Sequence, residues 1–234
     1  MMARSDVLEA VVLGTEFFRR GVDALPDEAL KGESLLPGWS RAHVVAHVGF
    51  NALAIGRLAQ WAATGVESPM FASVEARNAE IADGALLSSD ELRELFDESA
   101  VALDRYWREI PESRWEHPVR NGQGTVVPVS ETLWMRAREV WIHGVDLNVG
   151  TSFADIPAAV LERILGDIKG VWQARGESSI RLRVVDAGRA YSGAADAGVQ
   201  VSGSLAALTA WAAGRGSVGV SSGAWAPAAA PRWV

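Results

Sequence analysis

The 234-residue chain contains no cysteine, and lysine occurs only at positions 31 and 169. The absence of thiols excludes disulfides, thiolate metal sites and a cysteine nucleophile, so any thiol chemistry needs a thiol from outside the chain. With a net charge of -7, the protein lacks the basic balance of a nucleic-acid or anionic-membrane binder. No apolar run approaches the roughly 20 residues of a membrane span, and the amino-terminal segment has no signal-peptide pattern, which predicts a cytoplasmic protein.

Helical periodicity and capping residues organise the amino-terminal part of the chain. Ser40 is placed as an N-cap and Gly65 as a C-cap, so that they bound one long helix. A later connection over 114–128 contains the turn pair Asn121-Gly122 and is predicted to be irregular or a hairpin. The predicted helices span residues 5–25, 41–64, a segment beginning at Ser73, 88–110 and 129–147. Together they predict a bundle of about four main helices.

From about residue 150 the pattern changes to short, mixed elements. Residues 179–186 alternate apolar and charged side chains, which is typical of a half-buried strand. The other predicted elements are a helix over 155–175, a strand over 197–202, a helix over 204–213, a third strand over 219–222 and an extended tail over 226–234. The predicted fold class is therefore multidomain, with an all-helical domain over 1–153 and a small α+β domain over 154–234.

Two helical patches carry acid and imidazole groups four residues apart. This spacing places two side chains on one face of a helix, and it relates His43 to His47 and Glu139 to His143. His47, Glu139 and His143 would form a site of two imidazoles and one carboxylate. Three protein ligands leave one coordination position open, which is typical of a catalytic rather than a structural zinc. The same ligand types suit iron or nickel, so the sequence does not fix the metal.

Other interpretations of these patches stay open. Glu139 lies among large apolar residues and needs a partner if it is buried. A metal would satisfy it, but so would Arg41 or Arg136. His43 is a rival to His47 as a ligand, and otherwise it would support a ligand or contact a substrate.

Four residues outside the triad are further candidates. Asp146 either hydrogen-bonds the second ring nitrogen of His143 or lies in water at a helix end. Trp39, which follows a Pro-Gly pair and precedes the first patch, would line a pocket. Arg77 is either a clamp for an anionic substrate or a surface residue. Arg215 lies among glycines at the end of a helix, where its guanidinium either reaches a carboxylate or faces the helix dipole.

Several blocks of sequence resemble the mycothiol-dependent maleylpyruvate isomerases, in order and over nearly the whole chain. The blocks are LPGWSRAHVVAH (36–47), PMFASVEARN (69–78), SETLWMRAREVWIHGVDL (130–147), and VSGSLA (201–206) with AGRGS (213–217). The resemblance implies a DinB-like four-helix bundle that binds zinc through His47, Glu139 and His143, with water in the open position. It also implies a catalytic arginine at Arg215, contributed by the carboxy-terminal domain.

The reaction implied by this resemblance is the cis–trans isomerisation of maleylpyruvate to fumarylpyruvate in aromatic degradation. A thiolate adds to the double bond, the resulting single bond rotates, and elimination restores the alkene. Mycothiol would supply the sulfur, and the expected partners are a small dicarboxylate substrate and this low-molecular-weight thiol, bound by a monomer. Two alternatives share the scaffold: a mycothiol-dependent S-transferase, whose substrates need no arginine clamp, and a non-catalytic, metal-stabilised binding module.

Overall fold

The computed structural model describes residues 2–177, 180–186, 190–191, 199–222 and 229–233. The chain divides into two compact units, Met1–Gly150 and Thr151–Val234. The described residues form seven α-helices, a two-stranded sheet and a four-stranded sheet. Within this described part, no helix has both the length and the apolar character needed to cross a membrane.

Five α-helices and a short hairpin make up the described part of the first unit. The helices are α1 (Arg4–Asp23), α2 (Arg41–Thr64), α3 (Val74–Gly84), α4 (Ser89–Arg108) and α5 (Glu131–Asp146). Strands β1 (Pro118–Arg120) and β2 (Val126–Pro128) pair antiparallel between α4 and α5. The predicted helical bundle is confirmed, and the connection over 114–128 contains the hairpin rather than only irregular chain.

Serine side chains begin three of these helices. The Oγ atoms of Ser40, Ser73 and Ser88 each accept a hydrogen bond from the backbone amide three residues later. These bonds satisfy amide groups that have no partner inside the helix. At the other end of α2, Gly65 has a left-handed backbone with φ of 80°, which glycine adopts without steric cost. Both predicted bounds of α2 are therefore confirmed.

Close helix packing positions α5, the helix that contains two of the predicted ligands. The central helix α2 contacts α3, α4 and α5, while α1 packs along α5. A Cβ atom added at Gly144 would lie 2.6 Å from the ring of Phe17, and one added at Gly14 would lie 2.6 Å from Val140. Because these distances are too short for real carbon contacts, the approach of α1 to α5 requires glycine at both positions.

Two helices and a four-stranded sheet form the described part of the second unit. The elements are α6 (Ala158–Ala174), β3 (Ile180–Val184), β4 (Ala190–Tyr191), β5 (Val199–Gly203), α7 (Leu205–Ala212) and β6 (Val220–Ser221). The strand order is β4-β3-β5-β6, with β3 parallel to β5 and both outer pairs antiparallel. Helix α6 packs on α7 through Trp172 and Trp211, whose ring centroids are 6.0 Å apart. The predicted α+β character is confirmed.

The strands of the second unit differ from the prediction in one respect. The three predicted strands correspond to β3, β5 and β6, and the predicted helix over 204–213 corresponds to α7. The two-residue strand β4 was not predicted, because so short a segment has no recognisable period. Residues 179, 197–198, 226–228 and 234 of the predicted strands and tail lie outside the described residues. The part of the tail over 229–233 has no helix or strand.

Gly144→Ala is expected to lower the free energy of unfolding by about 1–3 kcal/mol, because the added methyl group must displace the Phe17 ring from a packed interface. Gly166→Ala is the matched control, since a Cβ there meets nothing within 4 Å. Alanine favours a helix over glycine, so the control should be neutral or slightly stabilising. Chemical denaturation of both variants measures the difference. Equal stability of Gly144→Ala and the native protein would contradict the close contact.

Candidate metal centre

Three side chains from α2 and α5 converge inside the first unit. His47 lies in the second turn of α2, and Glu139 and His143 are one turn apart on α5. The Nε2 atoms of His47 and His143 lie 3.0 Å and 3.3 Å from Oε2 of Glu139. One potential ligand atom from each residue lies within 4.8 Å of the other two. The structure thus brings together the three residues that the helical spacing singled out.

Hydrogen bonds and burial set the charges of this triad. Burial alone would raise the pKa of Glu139, but hydrogen bonds from His143 and His47 hold it well below its ordinary value. Burial lowers the pKa of His47 despite its bond to Glu139. Burial also opposes the charged form of His143, but hydrogen bonds to Asp146 and Glu139 raise its pKa to about 9. In the metal-free protein at neutral pH, the triad is therefore a carboxylate, a neutral imidazole and an imidazolium.

Asp146 orients His143 from the side opposite Glu139. Its Oδ2 lies 2.9 Å from Nδ1 of His143, and the residue has no exposed surface. Of the two interpretations left open by the sequence, the structure therefore shows the hydrogen bond and not a carboxylate in water. A carboxylate on the second ring nitrogen of a metal-binding histidine fixes its tautomer and raises its basicity.

Arg77 contacts the other face of the triad. Its Nη2 lies 3.3 Å from Nδ1 of His47. Because a guanidinium only donates hydrogen bonds, Nδ1 is the acceptor and Nε2 carries the hydrogen that points to Glu139. A metal ion bound at Nε2 would replace this hydrogen, and Nδ1 would become a donor that Arg77 cannot bond. Arg77 also lines a cavity of about 260 Å³ together with Arg57 and Phe71. Of the two interpretations of Arg77, its contact with His47 and this cavity favour a clamp for an anionic substrate.

The two arginines that could have paired with Glu139 have other partners. Arg41 donates to three backbone carbonyls, two of them just beyond the end of α5. Arg136 is fully buried and donates to the carbonyl of Val48 and to Oδ1 of Asn51. Both arginines therefore stabilise the backbone around the site, while Glu139 is bonded to the two histidines.

Aromatic rings continue from the triad to the start of α2. The ring centroids of His47 and His143 are 4.7 Å apart, and Trp39 lies 5.5 Å from His47 and 6.1 Å from His43. Trp39 and Ser40 line a second cavity of about 470 Å³, formed by Lys31 and residues 33–40. His47, and not its rival His43, belongs to the cluster of ligand atoms. The predicted pocket at Trp39 is therefore present.

Arg215 lies in the second unit, three residues after the end of α7. It is placed between Gly214 and Gly216, whose φ angles are 78° and 95°. Its backbone amide donates to the carbonyl of Ala210 at 2.8 Å, and its Nη1 donates to the carbonyl of Ala213 at 2.6 Å. The side chain is half-buried. These bonds hold the guanidinium at the helix end, and its part in catalysis stays a prediction.

The donor set of the triad fits a divalent metal ion. Two imidazole nitrogens and one carboxylate oxygen are ligands that zinc prefers, and three of them leave a coordination position for water or a substrate. The triad is mostly enclosed, since the side chains of His47, His143 and Glu139 are only 8%, 14% and 20% exposed. Fold and cluster together define a helical-bundle protein with a three-ligand candidate site for a divalent metal.

Comparisons with known proteins specify the family. A sequence profile of the mycothiol maleylpyruvate isomerase N-terminal domain matches residues 11–148. The crystal structure of a mycothiol-dependent maleylpyruvate isomerase is similar at a TM-score of 0.95 and 43% identity, over 99% of this chain and 98% of that chain. The crystal structure of a histidine-to-alanine variant of such an isomerase is similar at a TM-score of 0.94 and 42% identity, again over 99% of this chain and 98% of that chain. A search of curated protein sequences found no match. The chain belongs to the mycothiol-dependent maleylpyruvate isomerase family, which confirms the resemblance seen in its sequence.

Metal binding is expected to release about one proton near neutral pH. His143, with its pKa raised to about 9, is protonated in the metal-free protein and must become neutral to coordinate a metal. The apparent affinity for Zn²⁺ should therefore rise about tenfold per pH unit from pH 7 to about 9 and then level off. Calorimetric titrations in buffers of different ionisation enthalpy count the protons. The Asp146→Asn variant should release fewer protons when it binds Zn²⁺. An affinity for Zn²⁺ that does not change with pH would contradict an imidazolium at His143.

Proposed function

We propose that this protein is a mycothiol-dependent maleylpyruvate isomerase, which converts maleylpyruvate to fumarylpyruvate. The observation that carries the proposal is the cluster of His47, Glu139 and His143, with their ligand atoms within 4.8 Å of one another. Family membership supports it, since the relative that matches over 99% of this chain at 43% identity is described as an enzyme of this kind.

Zinc is the ion proposed for the triad. When bound, it supplies a Lewis acid that lowers the pKa of a thiol. Glu139 contributes the negative charge that offsets the metal, and Asp146 keeps the hydrogen of His143 on Nδ1, so that Nε2 is free to coordinate. The low exposure of the triad limits the access of water, which strengthens electrostatic interactions there.

The sulfur nucleophile has to come from a bound small thiol, because the chain has no cysteine. When bound, mycothiol would supply this nucleophile as a thiolate, which the isomerisation of a cis double bond by addition and elimination requires. The substrate is a dicarboxylate, and cationic side chains near the triad suit it. Arg57 and Arg77 line one cavity, and Arg77 also contacts His47 of the triad. These cationic side chains favour the isomerase over an S-transferase with uncharged electrophiles. Arg215 is the arginine proposed to bind a substrate carboxylate or the developing enolate charge.

The proposed enzyme acts as a monomer in the cytoplasm. An absorbance assay tests its activity directly: purified protein is mixed with maleylpyruvate, with and without mycothiol, before and after chelation and after zinc is restored. Conversion to fumarylpyruvate that requires both thiol and metal is the expected result. If the folded, zinc-loaded protein converts no maleylpyruvate with mycothiol present, the proposed isomerase activity is overturned. Consumption of mycothiol by an alkylating electrophile would then identify an S-transferase.

A further inference from the structure

Hydrogen bonds at the start of α2 fix the tautomer of His43. Its Nδ1 lies 3.3 Å from the backbone nitrogen of Ser40 and 2.7 Å from the Oγ of the same residue. A backbone N–H only donates, so Nδ1 is an acceptor and carries no hydrogen. The Oγ of Ser40 accepts from the backbone amide of His43 at 3.3 Å, which leaves its own hydrogen to donate to Nδ1. The neutral ring therefore carries its hydrogen on Nε2.

His43 lies beside the triad without belonging to it. It precedes His47 by one helical turn on the same face of α2, and the ring of Trp39 packs against both imidazoles. The residues that contact His43, Trp39 and Ser40, line the cavity of about 470 Å³, a volume within the usual range for small-ligand sites. The half-buried side chain of His43 therefore contacts two residues of the cavity wall and lies one helical turn from the candidate ligand His47.

We propose that His43 is a further catalytic residue, whose neutral imidazole donates a hydrogen bond from Nε2 to the substrate oxygen that becomes negatively charged. This inference rests on the proposed function. In maleylpyruvate the cis double bond is conjugated with a ketone. When the C–S bond forms, the π electron pair moves to the ketone oxygen. When the C–S bond breaks, the pair returns and the trans alkene forms, so that no proton, oxidant or reductant is consumed.

A fixed neutral donor suits this step for two physical reasons. A preorganised N–H group stabilises charge that develops in the transition state without the cost of reorienting water. A hydrogen bond, unlike a full proton transfer, leaves the electron pair available for the elimination that completes the reaction. Neutral imidazole donors at helix amino termini are known to polarise carbonyl oxygens in this way.

Two substitutions of His43 by side chains of similar length distinguish the effect of the N–H donor from the effect of side-chain shape. His43→Gln keeps an N–H donor and an acceptor oxygen, and glutamine is a favoured residue at this third helical position behind a serine cap. His43→Met keeps the length but has no donor. With zinc content and helical content equal to native, we expect kcat to fall less than about tenfold for glutamine and about 100- to 1000-fold for methionine, with KM little changed.

A readout independent of activity tests the tautomer itself. Nitrogen-15 NMR of histidine-labelled, zinc-loaded native protein should show His43 protonated on Nε2 and unprotonated on Nδ1, with His43→Gln used to assign the signals. A proton on Nδ1 would overturn the proposal. If the native protein isomerises maleylpyruvate and His43→Met does so with native kcat, only the role of His43 is overturned. If the native protein gives no conversion, the proposed function and this inference both fail.

Discussion

Glu139→Gln is expected to remove stoichiometric zinc from the protein and to lower isomerase activity by more than about a thousandfold, because the proposed metal site would lose the carboxylate of its three candidate ligands. The carboxylate oxygen lies between the two imidazoles, 3.0 Å from His47 and 3.3 Å from His143. A glutamine amide has the same shape, but it offers a neutral oxygen of weaker affinity. Metal analysis and the maleylpyruvate assay on the same preparation measure both effects.

Two matched variants sharpen the interpretation of Glu139→Gln. Glu109→Gln makes the same chemical change at a side chain that is 58% exposed, and it should keep native zinc content and activity. Asp146→Asn weakens the hydrogen bond to His143 while it leaves all three ligands in place. Above about pH 9, where no proton competes for His143 in either protein, we therefore expect a 10- to 100-fold loss of metal affinity. Native zinc content in Glu139→Gln would exclude this carboxylate as a ligand.

Arg215→Ala is expected to lower kcat/KM by about 100- to 1000-fold without changing the zinc content, because a guanidinium provides charge-assisted hydrogen bonds to a carboxylate or an enolate oxygen. Arg215→Lys keeps the charge but not the planar, two-pronged donor, and it should recover only part of the activity. Steady-state kinetics of the zinc-loaded variants separates the effects on kcat and KM.

Arg175 provides a matched control within the same unit. It also follows a helix, and its Nη1 donates to the carbonyl of Arg232 at 2.6 Å, as the Nη1 of Arg215 does to that of Ala213. Arg175→Ala therefore removes a similar guanidinium–carbonyl bond and should leave kcat/KM within about twofold of native, as surface changes usually do. Equal effects of the two substitutions would mean that Arg215 acts through stability alone.

The sequence predicted the helices that contain the triad, and the alignment of Glu139 with His143, because both follow from local rules. The spacing of four residues aligned Glu139 with His143, and the caps at Ser40 and Gly65 bounded the helix that contains His47. These signals arise within one or two turns of chain, where geometry is nearly independent of the rest of the fold.

What the sequence left open depends on distant contacts. Arg41 was a plausible partner for Glu139, but the fold brings it to carbonyls more than a hundred residues away in the chain. The sequence allowed Asp146 either to bond His143 or to lie in water, and only the packing around the end of α5 shows that its carboxylate is buried. The contact of Arg77 with His47 joins two helices, so no local pattern predicts it. The tautomer of His43 needed the hydrogen-bond geometry at Ser40.

Arg41 joins the start of α2 to the chain just after α5 through hydrogen bonds. Its Nε and Nη2 donate to the carbonyls of Leu147 and Asn148 at 2.7 Å and 3.1 Å. The two helices that hold the ligands are therefore joined by the fold itself, and their conformational entropy is lost on folding rather than on metal uptake. Small zinc domains behave in the opposite way and fold only around their ion. For this protein, calorimetry should give a heat-capacity change near zero on zinc binding, and a chelated bundle should take up the metal again without refolding.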